Sequence, residues 1–158
     1  MIHIVSGDLL KSDCTIIGHQ CNCLGVMGAG IAKQIKMLYP EVYEEDHQFS
    51  IPFGEKRLGH LSYAWVRDKN VGSRLVCNLY GQHRYGRRGN YTVVPALKRA
   101  LEGMMKVIGE WENEDWIKIG LPYGIGAGLA GGNWDEILCI IEQVSYEFER
   151  DIYLYELK

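Results

Sequence analysis

The chain lacks a long apolar run, an excess of positive charge and a paired-cysteine framework, and each absence removes a class of protein. Its longest uninterrupted apolar stretch, Ile137 to Ile141, falls far short of the ~20 residues that cross a bilayer. Met1 leads directly into Ile2, His3, Ile4 and Val5, without the basic, apolar and small-residue regions of a secretory leader. The expectation is a cytoplasmic protein that does not engage a membrane. A formal charge of −3 leaves no broad basic face of the kind that grips nucleic acid regardless of sequence. The five cysteines, at 14, 21, 23, 77 and 139, are odd in number. Cys21 and Cys23 have neither a second pair nor a following H-x3-5-H, so no zinc site and no other metal is expected. Reduced, mostly buried thiols fit this usage.

What is present fits one domain spanning residues 1–158. The 158 residues, 47% of them hydrophobic, suffice for a core and exclude general disorder. Glycine is the informative excess: 19 residues, or about 12% against an average near ~7%. Gly25, Gly28 and Gly30 form one cluster, and Gly120, Gly124, Gly126, Gly128, Gly131 and Gly132 another.

No composition break or repeat divides the chain. Met1–Ser6 and Cys14–Gln20 read as strands. Ile31, Ile35 and Leu38 share one face of a helix that Pro40 stops. The acidic stretch Glu41–Asp46 reads as a short solvated helix. His60–Arg67 and Arg74–Tyr80 carry the β-branched and aromatic residues of strands. Thr92 is placed to cap a long helix, with Pro95 in its first turn. Leu97, Leu101, Met104, Ile108 and Trp111 give that helix its apolar stripe. Trp116–Leu121 reads as a strand. Asn133 with Glu136 resembles a capping box opening a last helix, and Asp151–Leu157 closes the chain as a strand. The alternation predicts an α/β layered fold.

Each glycine cluster stands where a strand hands over to a helix. There the first helical N–H groups lack intrahelical acceptors and the helix dipole adds positive potential. Glycine allows neighbouring amides to converge, which makes an anion cradle suited to phosphate. Two such cradles on one sheet edge would suit a diphosphate; tight turns and close packing would use the same glycines. A P-loop is absent, because Gly30 is followed by Ile31 and Ala32. Gly126-Ala127-Gly128-Leu129-Ala130-Gly131 matches G-x-G-x-x-G. However, only 27 residues follow Gly131, too few for the dinucleotide fold that uses this fingerprint.

Three motifs in order resemble a macro domain over nearly the whole chain: Gly7-Asp8-Leu9-Leu10; Cys21-Asn22-Cys23 running into Gly28-Ala29-Gly30-Ile31-Ala32; and Pro122-Tyr123-Gly124-Ile125-Gly126-Ala127-Gly128-Leu129. His19-Gln20-Cys21-Asn22-Cys23 and Tyr39-Pro40 are most similar to the branch of ADP-ribose 1''-phosphate phosphatases and terminal ADP-ribose protein glycohydrolases. The resemblance implies a three-layer fold with a mixed six-stranded sheet between helices, and ADP-ribose or a derivative in a crest cleft. It implies that Asp8 accepts a hydrogen bond from the adenine amine, with Leu9 beside it; an Asx-type turn is the other use of Gly7-Asp8. Gly28, Ala29, Gly30 and Ile31 would face one phosphate with their amides, and Gly124, Ile125, Gly126, Ala127 and Gly128 the other, with Pro122, Tyr123 and Leu129 also at the ligand. Asn22 would bind distal-ribose hydroxyls or satisfy loop backbone. Leu157 would lie against the adenine or simply pack on the sheet.

Two departures touch the chemistry. No lysine lies between Lys69 and Lys98, and Ala130 stands where the glycohydrolases carry an aspartate, so a lysyl intermediate is not expected. Instead residues 82–88 hold Arg84, Arg87, Arg88 and His83. This loop would bind a terminal phosphate through arginine, with His83 as acid or base, or else stand solvated without a ligand. The expectation is a monomeric, cofactor-free hydrolase acting on ADP-ribose 1''-phosphate or on an ADP-ribosyl adduct of protein or nucleic acid, with Asn22 and His83 catalytic. A non-catalytic ADP-ribose reader is the alternative, and an RNA-binding module using the arginine loop a third.

Overall fold

The computed structural model describes residues 1–109, 111 and 115–157. Its strands are β1 (Ile2–Ser6), β2 (Ile16–Asn22), β3 (Leu61–Asp68), β4 (Gly72–Gln82), β5 (Ile119–Pro122) and β6 (Ile152–Glu156). Its helices are α1 (Gly30–Leu38), α2 (Pro40–Gln48), α3 (Val94–Gly109) and α4 (Trp134–Phe148). The six strands form one mixed sheet in the order β1-β6-β5-β2-β4-β3. Five run parallel, and β3 pairs antiparallel with β4. Central β2 and β4 are buried along most of their length, which explains their unbroken apolar character. Edge strand β3 alternates buried Ser62 and Val66 with exposed Tyr63 and Trp65.

The two faces are covered differently. Leu97, Leu101 and Met104 of α3 and Ile137, Ile141 and Val144 of α4 pack on Ile16, Leu79, Leu121 and Ile152 in an apolar core. The opposite face is covered by Ile35 of α1 and Val42 of α2 over Ile17 and Val76. It also encloses charge: Arg57 Nη1 donates to Asp46 Oδ1 at 3.0 Å, and Arg74 Nη1 to Asp68 Oδ1 at 3.2 Å. Both guanidinium groups are fully buried and also donate to backbone carbonyls, as a buried charge requires.

Several expected boundaries move. Pro40 ends α1 and also opens α2, where its missing N–H costs nothing. Asp46 belongs to that helix but is not solvated, because Arg57 draws it inside. Thr92 does not cap α3. It forms a bridge with Gln82, and its hydroxyl donates to the Gly126 carbonyl at 2.6 Å. The strand expected from Trp116 begins at Ile119, and α3 ends at Gly109, before Trp111. Asn133 caps α4 as read, its side chain accepting from Glu136 N at 3.1 Å.

Candidate functional site

Because five strands run the same way, β1, β2, β4, β5 and β6 all deliver their carboxyl ends, Ser6, Asn22, Gln82, Pro122 and Glu156, to one edge. Such an edge is where open α/β sheets form clefts. A cavity of about 680 Å³ opens there, within the ~300–1,000 Å³ range of small-molecule sites. The first glycine loop contributes Gly28 and Ala29, the second Leu129 and Ala130, and β2 contributes Gln20, Cys21 and Asn22. Gln82, Tyr85, Gly86 and Arg87 close it from the β4 side. The two loops therefore converge on one space, and among the described residues no carboxylate lines it.

Asn22 sits at the root of the first loop with its side chain engaged in both directions. Its Oδ1 accepts from Leu24 N at 3.0 Å and Val26 N at 3.2 Å, and its Nδ2 donates to the Val26 carbonyl at 2.7 Å. One amide hydrogen is left for another acceptor. Asn22 thus satisfies loop backbone, the second of its two expected uses, and is also among the residues that line the cavity.

The second loop is wound by its own backbone. Ile125 N donates to Pro122 O and Gly132 N to Gly126 O, at 3.0 and 2.8 Å. Gly124 and Gly126 carry positive φ, yet the loop reaches this cavity through Leu129 and Ala130 rather than through residues 122–128. Asp8 and Leu9 are not among the residues that line it. Asp8 Oδ1 accepts from Leu10 N at 3.0 Å and caps a short 3-10 helix, Leu9–Lys11, which is the turn use of that motif. The Leu9 side chain is sealed in the core, leaving only its backbone for a ligand. Leu157 is exposed at the chain's far end.

His83 is not among the residues that line the cavity. Its Nδ1 lies 3.6 Å from a Glu55 carboxylate oxygen, and its carbonyl accepts from Cys23 N. His19 is fully buried beside Asn78 Oδ1 at 2.7 Å. Because the Asn78 amide group donates to Val42 O and Ser62 Oγ, His19 Nε2 carries the proton. Burial pulls the His19 pKa down to about 4, against the pull of that hydrogen bond. Burial also pushes the Cys21 thiol up, with Asp46 adding to it, and raises Cys23 to about 11. Neither thiol is a ready nucleophile.

Sequence reasoning missed Gln20. Its Nε2 donates to Gln82 Oε1 and Thr92 Oγ1, both at 2.9 Å, while Thr92 holds Gly126 O. One side chain thus ties β2 and β4 to the second loop. The available signal was spacing, since Gln20 and Asn22 stand two apart on one face of a strand.

No family model matches the chain. An uncharacterized 17.5 kDa protein from the tk-vs intergenic region of Enterobacteria phage T4 is 31% identical over 155 residues, covering 94% of this chain and 93% of the phage protein. A DNA ADP-ribosyl glycohydrolase of Mycobacterium bovis is 51% identical over 139 residues, which make up 87% of this chain but 36% of that longer protein. An ADP-ribose 1''-phosphate phosphatase of Saccharomyces cerevisiae is 26% identical over 174 residues, covering 96% and 97% of the two chains. Among solved structures, the macrodomain of Thermus aquaticus DarG superposes with a TM-score of 0.75 at 22% identity, covering 98% of this chain and 97% of its own. With its two glycine loops meeting at the crest of this sheet, the chain belongs to the macro domain family, in the branch similar to those phosphatases and glycohydrolases.

Proposed function

We propose that the chain binds ADP-ribose across this crest and hydrolyses the link to the C1'' substituent of the distal ribose, with water delivered to C1'' or to phosphorus, in an ADP-ribose derivative that is either the 1''-phosphate or an adduct on protein or nucleic acid. The observation that carries the reading is the convergence of both glycine loops on one cavity floored by Asn22. Similarity to a phosphatase of ADP-ribose 1''-phosphate and to a DNA ADP-ribosyl glycohydrolase supports it.

In this reading the diphosphate lies between the loops, with the first (Gly28, Ala29, Gly30 and Ile31) on one side and the second, which meets the cavity at Leu129 and Ala130, on the other. The adenine extends toward Asp8, Leu9 and Leu157. The distal ribose rests over Asn22, whose uncommitted amide hydrogen meets a hydroxyl. Rate enhancement comes from holding the scissile bond in register and from amide dipoles directed at developing charge. No lysyl intermediate forms. His83 supplies acid or base by leaving Glu55, and the protein works as a cytoplasmic monomer.

The test is calorimetric titration with ADP-ribose, followed by incubation with ADP-ribose 1''-phosphate and with an ADP-ribosylated DNA oligonucleotide. Binding with release of ADP-ribose from either substrate, lost in Asn22→Ala, supports the enzyme. Tight binding without product supports a reader, a reading favoured by Ala130 standing where the glycohydrolases carry an acid. Absence of ADP-ribose binding overturns both.

A further inference from the structure

Residues 83–91 form a braced loop at the mouth of the cavity. At its base, Gln82 and Thr92 form a bridge, Cys23 Sγ donates to Gln82 O at 3.2 Å, and Gln82 Nε2 donates to Arg84 O at 2.7 Å. Its interior is filled by Tyr91, whose hydroxyl donates to Arg88 O at 2.6 Å. A Cβ on Gly86 would overlap that hydroxyl, so the ring is packed against the loop's own backbone. Tyr91 N donates to Ala130 O at 2.6 Å, fastening the loop to the second glycine loop. A loop so tied has its backbone course set before any ligand arrives.

Of the three arginines it carries, Arg87 alone lines the cavity, with Tyr85 and Gly86 beside it. Among the described residues none of the three forms an ion pair, and Glu55 is turned to His83. Among the described residues no carboxylate lines the cavity beside Arg87. An arginine among the residues that line such a cavity favours an anion, and its planar fork matches phosphate oxygens two at a time.

We infer that Arg87 forms a second anion subsite, separate from the diphosphate cradle, which takes a phosphate carried on the far side of the distal ribose. This rests on the reading that ADP-ribose fills the cavity with its distal ribose over Asn22. It narrows the substrate class to ADP-ribose derivatives whose C1'' substituent bears phosphate, whether a simple phosphomonoester or a nucleotide. Adducts on a protein carboxylate lack that group.

The experiment titrates protein saturated with ADP-ribose against inorganic phosphate and, separately, against a deoxydinucleotide, for wild type, Arg87→Gln, Arg87→Lys and Arg88→Gln. The expected result is saturable binding of the second anion that weakens about tenfold in Arg87→Gln, while ADP-ribose affinity stays within about twofold. Arg87→Lys falls between, because it keeps the charge but loses the fork. Arg88→Gln, outside the cavity wall, stays near wild type. Preference for phosphate identifies a phosphomonoester, and preference for the dinucleotide a nucleic-acid source. Equal second-anion affinity in wild type and Arg87→Gln, or no second-anion binding at all, overturns the subsite. If ADP-ribose itself fails to bind, the proposed function falls; phosphate titrated into free protein then decides the subsite by the same dependence on Arg87.

Discussion

Residues 23–29 and residues 123–132 flank one cleft, yet they are held by opposite means. The first loop depends on a side chain, with Asn22 gathering Leu24 N, Val26 N and Val26 O around one amide. The second is held by its backbone, through turns at Pro122–Ile125, Gly124–Ala127 and Gly128–Gly131 closed by the bond from Gly132 N to Gly126 O. The start of the first loop is also tied, by Cys23 N to His83 O and Gly54 N to Cys23 O, but its turn at residues 24–26 rests on that one side chain, so a mutation at Asn22 can reshape it. The second is built into the fold, so disturbing it disturbs its neighbours.

The sharpest way to break this contrast is Gly131→Ala. Gly131 has φ +71°, and a Cβ there would overlap the Gly89 carbonyl. Left-handed strain and backbone overlap together should cost about 3 kcal/mol, read as a lower urea midpoint. The same Cβ would also displace the arginine loop. A midpoint unchanged from wild type would show the second loop to be as adaptable as the first.

Acid should act from beneath the first loop. His19, three residues before Asn22 on β2, has its pKa lowered to about 4 from 6.5, so the folded state holds it neutral while the unfolded chain protonates it. Its contribution is complete above the unfolded value and is lost as pH falls from 6.5 toward 4. The loss amounts to about 3 kcal/mol when the fall is complete. Urea midpoints across that range should slope downward with falling pH, and His19→Gln should flatten the slope.

Asn22→Ala should separate binding from stability. Leu24 and Val26 are partly exposed, so water can take up the freed N–H groups and the stability cost should be about 1 kcal/mol. ADP-ribose affinity should fall by about tenfold or more, since the first loop loses its anchor. Calorimetry alongside denaturation reads both. The smallest effect belongs to Thr92→Val, which leaves Gly126 O still bonded to Gly132 N. About 1 kcal/mol of stability should go, with ADP-ribose affinity within about threefold of wild type.

Local pattern made much of this molecule legible. The glycine clusters, the Asn133 cap and the stripes of α3 and α4 are written in neighbouring residues, and they stand in the structure. Thr92 and Asp46 were misplaced because their partners are distant in sequence. A threonine before a proline-led helix has the local signature of a cap, but Gly126 lies 34 residues away and takes its hydroxyl. An aspartate in an acidic helix has the signature of a wet face, yet Arg57, eleven residues on, is brought against it in the interior. Polarity alone does not separate a solvated side chain from a paired one.

The residue order by itself determined the alternation of strands and helices and the two glycine-rich strand-to-helix turns, because propensity, periodicity and glycine act over a few neighbouring positions. Only the tertiary structure decided that Asn22 serves loop and cavity together, that Gln20 ties β2 and β4 to the second turn, and that Arg87 rather than His83 lines the cavity. Those facts depend on the parallel register of β2 with β4 and on a loop closed around Tyr91, long-range pairings that no local stretch of chain specifies.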